Sequence, residues 1–217
     1  AVKPPSTLTQ LLMDHGLITL ELAQMAEEMA RRHGSHLIDV ILKRNLVQED
    51  DLARVLAEVN EWDALTPEAL IQEPVAREAI EKLGQSQAYQ TPYVLIGAPE
   101  TPTLVLANPY RTDIVDTVSR HFRGRPVKKA VAPRRAILGS LIQAFPTTPE
   151  QLAKSIEDLE RNGLGQNAVG RYMGELIGRA VTLGASDIHV EPGECTHVRY
   201  RVAGLLHPEA RTLPPDY

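Results

Sequence analysis

Over residues 7–59 apolar side chains recur at i, i+3 and i+4 in short runs, and the runs repeat. A shift of 29 residues lays Leu8 on Leu37, Leu11 on Val40, Leu12 on Ile41, Gly16 on Asn45, Leu17 on Leu46, Ile18 on Val47 and Glu21 on Asp50. Each copy predicts a helix that ends at a breaker, Gly16 or Asn45, the two residue types that most easily take a left-handed C-terminal cap. A second helix then begins. Thr19 with Leu22, Met25, Ala26 and Met29, and Gln48 with Leu52, Val55, Leu56 and Val59, form amphipathic faces that can pack together. The plain expectation is a helical repeat.

From about residue 60 to residue 89 the pattern predicts a helical connection. Pro67 and Pro74 open short helices there, and residues 75–83 are amphipathic. Trp62 reads as a core or seam residue. Two apolar runs, 93–97 and 103–107, separated by a Pro-containing turn, predict an antiparallel hairpin. Residues 112–122 return to helical period with Ile114, Val115 and Val118 inward. A strand over 127–132 then leads through Pro133 into a helix over 134–145. The order β-β-α-β-α describes a small α+β layer over residues 88–145. With the helical repeat it makes a first domain of residues 1–145.

Residues 146–167 read as a linker carrying one short helix, with Leu152, Ile156 and Leu159 on one face. A helix over 169–183 follows, with Val169, Met173, Leu176, Ile177 and Ala180 on one face. Strict alternation over 188–191 and again over 197–202 predicts two strands of a hairpin around the breaker Pro192-Gly193, with Ala203-Gly204 closing the second strand. The fold class is therefore α+β, with residues 168–217 the start of a second α+β domain.

Composition narrows the chemistry. The 217 residues are 43% hydrophobic, which suffices for two small cores, and the net charge of -5 gives no reason to expect nucleic-acid affinity. Cys195, the single cysteine, leaves no internal disulfide and no cysteine-based zinc site. No apolar run reaches membrane-span length, so the chain reads as soluble and cytoplasmic, without a direct membrane span. Against the acidic background, residues 120–135 hold seven basic side chains and no acidic one. This block is either a solvated edge or a docking patch for an acidic partner, with Arg123, Lys128 and Lys129 the docking candidates.

Several motifs invite enzymatic readings. Gly163-Leu164-Gly165-Gln166-Asn167-Ala168 spells G-x-G-x-x-A, but it follows a helix rather than a strand and reads as a cap and loop. His189-Val190-Glu191 with Cys195 lacks the second cysteine of a zinc deaminase. Asp187, His189 and Glu191 do not make a full metal-ligand set, and no metal site is expected. The sequence contains no G-x-x-x-x-G-K-[ST] loop, so this chain is not expected to hydrolyse ATP. On the hairpin, alternation puts Arg199 and Arg201 on one face, where two guanidinium forks suit a phosphate or a carboxylate.

The run ASDIHVEP, residues 185–192, with VRYRVAG at 198–204, resembles the start of the second N-terminal domain of the secretion and pilus-assembly ATPases, the motors of type II secretion and type IV pili. The family pattern is ASDIHIEP followed by R-x-R-x-D-G, so seven of the first eight letters match, and Ala203 stands where the family has Asp. The two helical units are similar to the family's first N-terminal domain, which in some members binds cyclic di-GMP through a repeated R-L-G-x-x-L-x-x-x-G-x-I pattern. Leu8, Leu12, Gly16 and Ile18 match the first copy, and Leu37, Ile41, Asn45 and Val47 hold the second copy's positions. The Arg-x-Gly letters are Thr7-Leu8-Thr9 and His36-Leu37-Ile38 instead. The resemblance implies a retained fold with the cyclic dinucleotide site lost.

It further implies a PAS-like second domain whose Arg199 or Arg201 senses the phosphate of ATP. ATP and Mg would be held by a C-terminal domain beyond this sequence, with no cofactor for the chain itself. The implied partners are an inner-membrane platform protein and further copies of the motor in a hexamer, which would place the chain at the cytoplasmic side of that membrane.

Overall fold

The computed structural model describes residues 6–98, 100–123, 125–146, 148–162, 166–202, 204–209 and 213, with the side chains of 86, 162, 166 and 167 left aside. The chain divides into two compact units, residues 1–141 and 142–217.

The first unit opens with four helices, α1 (Thr7–Asp14), α2 (Leu20–His33), α3 (Leu37–Lys43) and α4 (Glu49–Asn60). The repeat is visible in their ends. Gly16 and Asn45 both take positive φ, 70° and 50°. The next N–H in each copy reaches back five residues, Leu17 to the Leu12 carbonyl at 2.9 Å and Leu46 to the Ile41 carbonyl at 3.1 Å. This is the Schellman closure that satisfies the last carbonyls of a helix. Gly34 and Glu61 close α2 and α4 in the same way. Leu12, Ile18, Ile38, Ile41, Leu52, Val55 and Leu56 form the buried face, whereas Met25 and Val59 are exposed, so the apolar stripe is narrower than the sequence pattern suggests.

Thr9 lies one repeat before the buried Ile38, and it too is buried. Its hydroxyl reaches the Glu27 carboxylate at 2.5 Å, and the Ser6 N–H donates to the same carboxylate at 2.6 Å. The polar atom is therefore satisfied where the second copy has an apolar side chain.

A two-residue strand β1 (Asp63–Ala64) leads to the short helices α5 (Pro67–Gln72), α6 (Arg77–Leu83) and α7 (Gln85–Gln90). Pro67 does open a helix, behind the Thr66 cap. Pro74 does not. The Gly97 N–H donates to the Pro74 carbonyl at 3.0 Å and the Ala76 N–H to the Leu95 carbonyl at 2.8 Å, so residues 74–76 line the edge of the sheet instead. The layer then runs β2 (Tyr93–Ile96), β3 (Thr103–Leu106), α8 (Thr112–His121), β4 (Lys128–Val131) and α9 (Arg134–Ala144), in the expected order.

The strands lie in the order β1-β4-β3-β2, antiparallel between β2 and β3 and parallel elsewhere. β2 is buried at every position and β3 at three of four. Continuous rather than alternating apolar sequence is what a sheet covered on both faces requires.

In the second unit α10 (Pro149–Asn162) and α11 (Gln166–Leu183) precede a three-stranded antiparallel sheet, β5 (Asp187–Glu191), β6 (His197–Val202) and β7 (Leu205–Pro208). α10 falls within the interval read as a linker, yet its Leu152, Ile156 and Leu159 pack with Tyr172, Leu176, Ala180, Val198 and Tyr200 in the unit's core. On α11 Leu176 and Ala180 are buried as the sequence suggests, together with Tyr172, whereas Met173 and Ile177 of the expected face stand exposed. Gly163, Leu164, Gly165 and Ala203 lie outside the described residues, so the G-x-G-x-x-A segment is not placed. Among the described residues no helix is long and apolar enough to cross a membrane.

Candidate functional site

The β5–β6 hairpin brings the motif residues together as alternation requires. Asp187 pairs in register with Arg201, His189 with Arg199, and Val190 with Val198. Val198 and Tyr200 point into the core, so Asp187, His189, Glu191, Arg199 and Arg201 share the opposite face. Both arginines are engaged. Arg199 Nη1 lies 3.0 Å from Glu191 Oε2, and Arg201 Nε lies 3.4 Å from Asp187 Oδ2. Arg201 also donates to the Gly204 carbonyl at 3.3 Å and stands 3.3 Å from His189 Nε2. Each guanidinium is 36–40% exposed, so these pairs remain in contact with water and are cheap to exchange.

The positions matched to the cyclic dinucleotide pattern serve the fold. Leu12, Ile18 and Ile41 are buried in the helical core, and Leu8, Leu37 and Val47 are half-buried, while Gly16 and Asn45 make exposed turns.

The basic block does not form one free surface. Arg123 and Lys128 are exposed, but Lys129 places its ammonium 5.3 Å from the centre of the Trp62 ring, which identifies Trp62 as a seam residue. Arg135 is tied to α4, where its side chain meets Asp50 at 2.5 Å and its N–H donates to Glu49 at 2.8 Å.

A further constellation carries no local sequence signature. Asn108, at the end of β3, is 3% exposed; its amide donates to Asp39 of α3 at 2.9 Å and its oxygen accepts from the Tyr110 N–H at 3.0 Å. Arg111 reaches Asp39 at 3.3 Å and Thr91 at 3.0 Å, and grips Asp113 with two parallel bonds of 2.8 and 2.6 Å. The Arg111 bonds hold the Asp113 carboxyl below its ordinary range, against a smaller opposing effect of burial. This network walls a cleft of about 510 Å³ between α3 and the sheet, bordered also by Lys43 and Arg134.

No family model and no curated protein matches the chain. Among solved structures it is similar to a structure of MshE with cdg, at 16% identity and a TM-score of 0.49, covering 64% of this chain and 99% of that one. It is also similar to two structures of the N-terminal domain of XpsE. These are 21% and 18% identical, with TM-scores of 0.44 and 0.45; each covers 64% of this chain, and 97% and 96% of the XpsE chains.

Proposed function

We propose that this chain is the regulatory and docking region of a hexameric ATPase that powers type IV pilus assembly or type II secretion, coupling the motor to an inner-membrane platform protein. The observation that carries the reading is the hairpin: the ASDIHVEP and R-x-R letters fold into paired strands that present Arg199 and Arg201 together on one half-exposed face. Both guanidiniums rest on carboxylates of the neighbouring strand, Glu191 and Asp187. Exposed pairs of this kind are worth about 0–1 kcal/mol. A phosphate, which accepts a planar fork at two oxygens, can therefore take either arginine from its partner.

The test uses the full-length motor with Arg199→Ala and Arg201→Ala made separately and ATP binding and turnover measured independently. At least one variant is expected to fold, assemble and bind ATP while losing most of its turnover. Wild-type hydrolysis in both would make the hairpin a scaffold.

The second reading is a cyclic di-GMP receptor. The observation in its favour is that Gly16 and Asn45 keep the same left-handed turn in both repeats. Against it, Thr7, Thr9, His36 and Ile38 stand where arginine and glycine are needed. Charge-assisted bonds are worth roughly 1.5–3 kcal/mol each, and losing two pairs leaves little affinity. Titration of cyclic di-GMP should show no binding tighter than tens of micromolar, on the order of what that loss allows; saturable submicromolar binding would favour the receptor reading.

A further inference from the structure

The sheet of the second unit runs β5-β6-β7, so β5 and β7 are its two edges. The Glu209 N–H donates to the Val198 carbonyl at 2.8 Å, and in the antiparallel register this turns the backbone groups of 198, 200 and 202 toward β7 and those of 197, 199 and 201 toward β5. The Ser186 N–H accordingly meets the Arg201 carbonyl at 2.9 Å. Asp187, His189 and Glu191 therefore direct their backbone groups at β6, and the N–H and C=O of Ile188 and Val190 point outward from the free edge. On β7 the corresponding outward positions are Leu206 and Pro208, and proline has no N–H to offer. One edge is blunted and the other is open.

α11 packs over β5. One flank of this helix is committed to α10: Glu175 accepts from the Ser155 hydroxyl, and Arg171 meets Asp158 at 2.8 Å. One turn further along, Arg179 approaches Glu209 beyond the end of β7 at 3.8 Å, so this flank faces the β7 side of the sheet. At about 100° per residue Met173, Ile177 and Val181 fall on the opposite flank, toward and past β5. They are 42–49% exposed, and Val190 of β5 is 50% exposed. An apolar shelf thus overhangs the open edge on one face of the sheet. On the other face β5 presents Asp187, His189 and Glu191, and the pairs with Arg201 and Arg199 leave both carboxylates about half exposed.

We propose that β5 docks an extended segment of a partner protein in which Lys or Arg alternates with aliphatic residues, adding a further strand to the sheet. Its backbone pairs with Ile188 and Val190, its aliphatic side chains lie against Met173, Ile177 and Val181, and its cations lie beside Asp187 and Glu191. Main-chain bonds supply affinity in such strand addition, and the alternate side chains select the sequence. A second copy of the chain fits poorly. Antiparallel pairing of two β5 strands sets Ile188 against Val190, His189 against His189 and Asp187 against Glu191, and like charges directly opposite are destabilising. The surface uses neither the helical repeat nor the arginines of β6 as ligands, so it stands or falls independently of both readings above.

A fluorescein-labelled, capped peptide of alternating Lys and Val serves as the probe, titrated into the whole chain by fluorescence anisotropy. Saturable binding is expected. A peptide with alternate backbone amides N-methylated, which keeps every side chain and loses the strand donors, should bind at least about tenfold more weakly, as should one with Glu in place of Lys. Val190→Lys and Ile177→Lys, both at exposed positions, should each weaken the parent peptide about tenfold with the melting temperature kept, whereas Leu206→Lys on the blunted edge should leave it unchanged. If either variant does not fold, the N-methylated peptide decides. Equal binding of the N-methylated peptide would reduce the effect to charge attraction. A concentration-dependent dimer that Val190→Lys dissociates would assign the edge to a second copy. Capture by this chain but not by the full-length motor would assign it to another segment of the motor itself. Each of these outcomes, or the lack of saturable binding, would overturn the proposal.

Discussion

Asp39 and Arg111 stand 72 positions apart in the chain and meet at 3.3 Å, tying the second helical repeat to the start of α8. Their side chains are 21% and 16% exposed, so the contact lies largely out of water and is worth more than a surface pair. Asp39→Ala removes the acceptor of the buried Asn108 amide as well as a partner of Arg111, and should cost about 1–3 kcal/mol in denaturant unfolding. Arg111→Ala leaves Asp39 with Asn108 and should cost less. A double-mutant cycle should return a coupling of at least about 0.5 kcal/mol; strict additivity would mean that the two residues are neighbours without interaction.

The same arginine sets an acid dependence. Because Arg111 depresses the Asp113 carboxyl in the folded chain, the stabilisation is present at neutral pH and disappears as pH falls through that lowered value. Removing Arg111 should therefore flatten the acid limb of the stability profile below about pH 4, near the ordinary carboxylate range.

The elements that the sequence made legible are those governed by local periodicity. The 29-residue repeat, the β-β-α-β-α order and the alternating hairpin all follow from spacing, and Arg199 and Arg201 share a face as period two demands. The misses share a physical cause. β1 is two exposed residues that pair with Ala130 and Val131, and β7 is four exposed residues ending in proline; neither has an alternation to read. α11 has apolar residues on two sides, and only packing against α10 and β6 decides that Tyr172 and Leu176 go inward while Met173 and Ile177 do not. The Asp39, Asn108 and Arg111 network joins segments with no common spacing. Its one local trace is Asn108-Pro109, a turn signal at the end of an apolar strand.

The paired turns of the repeat give a direct test of backbone strain. Gly16 has φ of 70° and nothing within 4 Å of a Cβ built on it, so Gly16→Ala meets no clash and its cost is purely conformational. That cost should be about 1–2 kcal/mol. Asn45 occupies the same conformation with a side chain, so Asn45→Gly should stabilise by up to about 1 kcal/mol while Asn45→Ala destabilises. Opposite signs for Gly16→Ala and Asn45→Gly are the outcome expected if the two turns are equivalent. Circular dichroism melts of the four proteins decide it.

Burial raises the phenol of Tyr172 to about 12, and it also raises those of Tyr200, Tyr93 and Tyr89. A raised phenol pKa contributes stability that is present below the unfolded value near 10 and is lost as pH rises through the folded one. Absorbance at the phenolate band should therefore show these four tyrosines still protonated at about pH 10 and ionising together with unfolding. The Tyr172 hydroxyl is buried with no hydrogen-bond partner among the described residues, so Tyr172→Phe removes an unsatisfied group without opening a cavity. It should leave stability unchanged or raise it by about 1 kcal/mol. A loss of stability would show that the hydroxyl does find a partner.

Within the basic block the three docking candidates should behave differently, because the structure gives them different work. Lys129 lies over the Trp62 ring at the seam between the end of α4 and β4, and a cation–π contact of this kind is worth about 0.5–2 kcal/mol according to its exposure. Lys129→Glu should therefore destabilise the first unit, and any loss of partner binding it causes would be confounded with that. Arg123 and Lys128 are exposed, and reversing them to Glu should keep stability within about 0.5 kcal/mol of the parent. Arg123 also sits at φ of 45°, where Arg123→Gly removes both the charge and the strain and should raise the melting temperature. If the block docks an acidic face of the platform protein, Arg123→Glu/Lys128→Glu should weaken the complex, chiefly through slower association, and flatten its salt dependence. The binding measurement, made at low and at high salt with the full-length motor and the platform protein, separates the two roles. Unchanged affinity at low salt in the double variant would make these residues a solvated edge with no docking function.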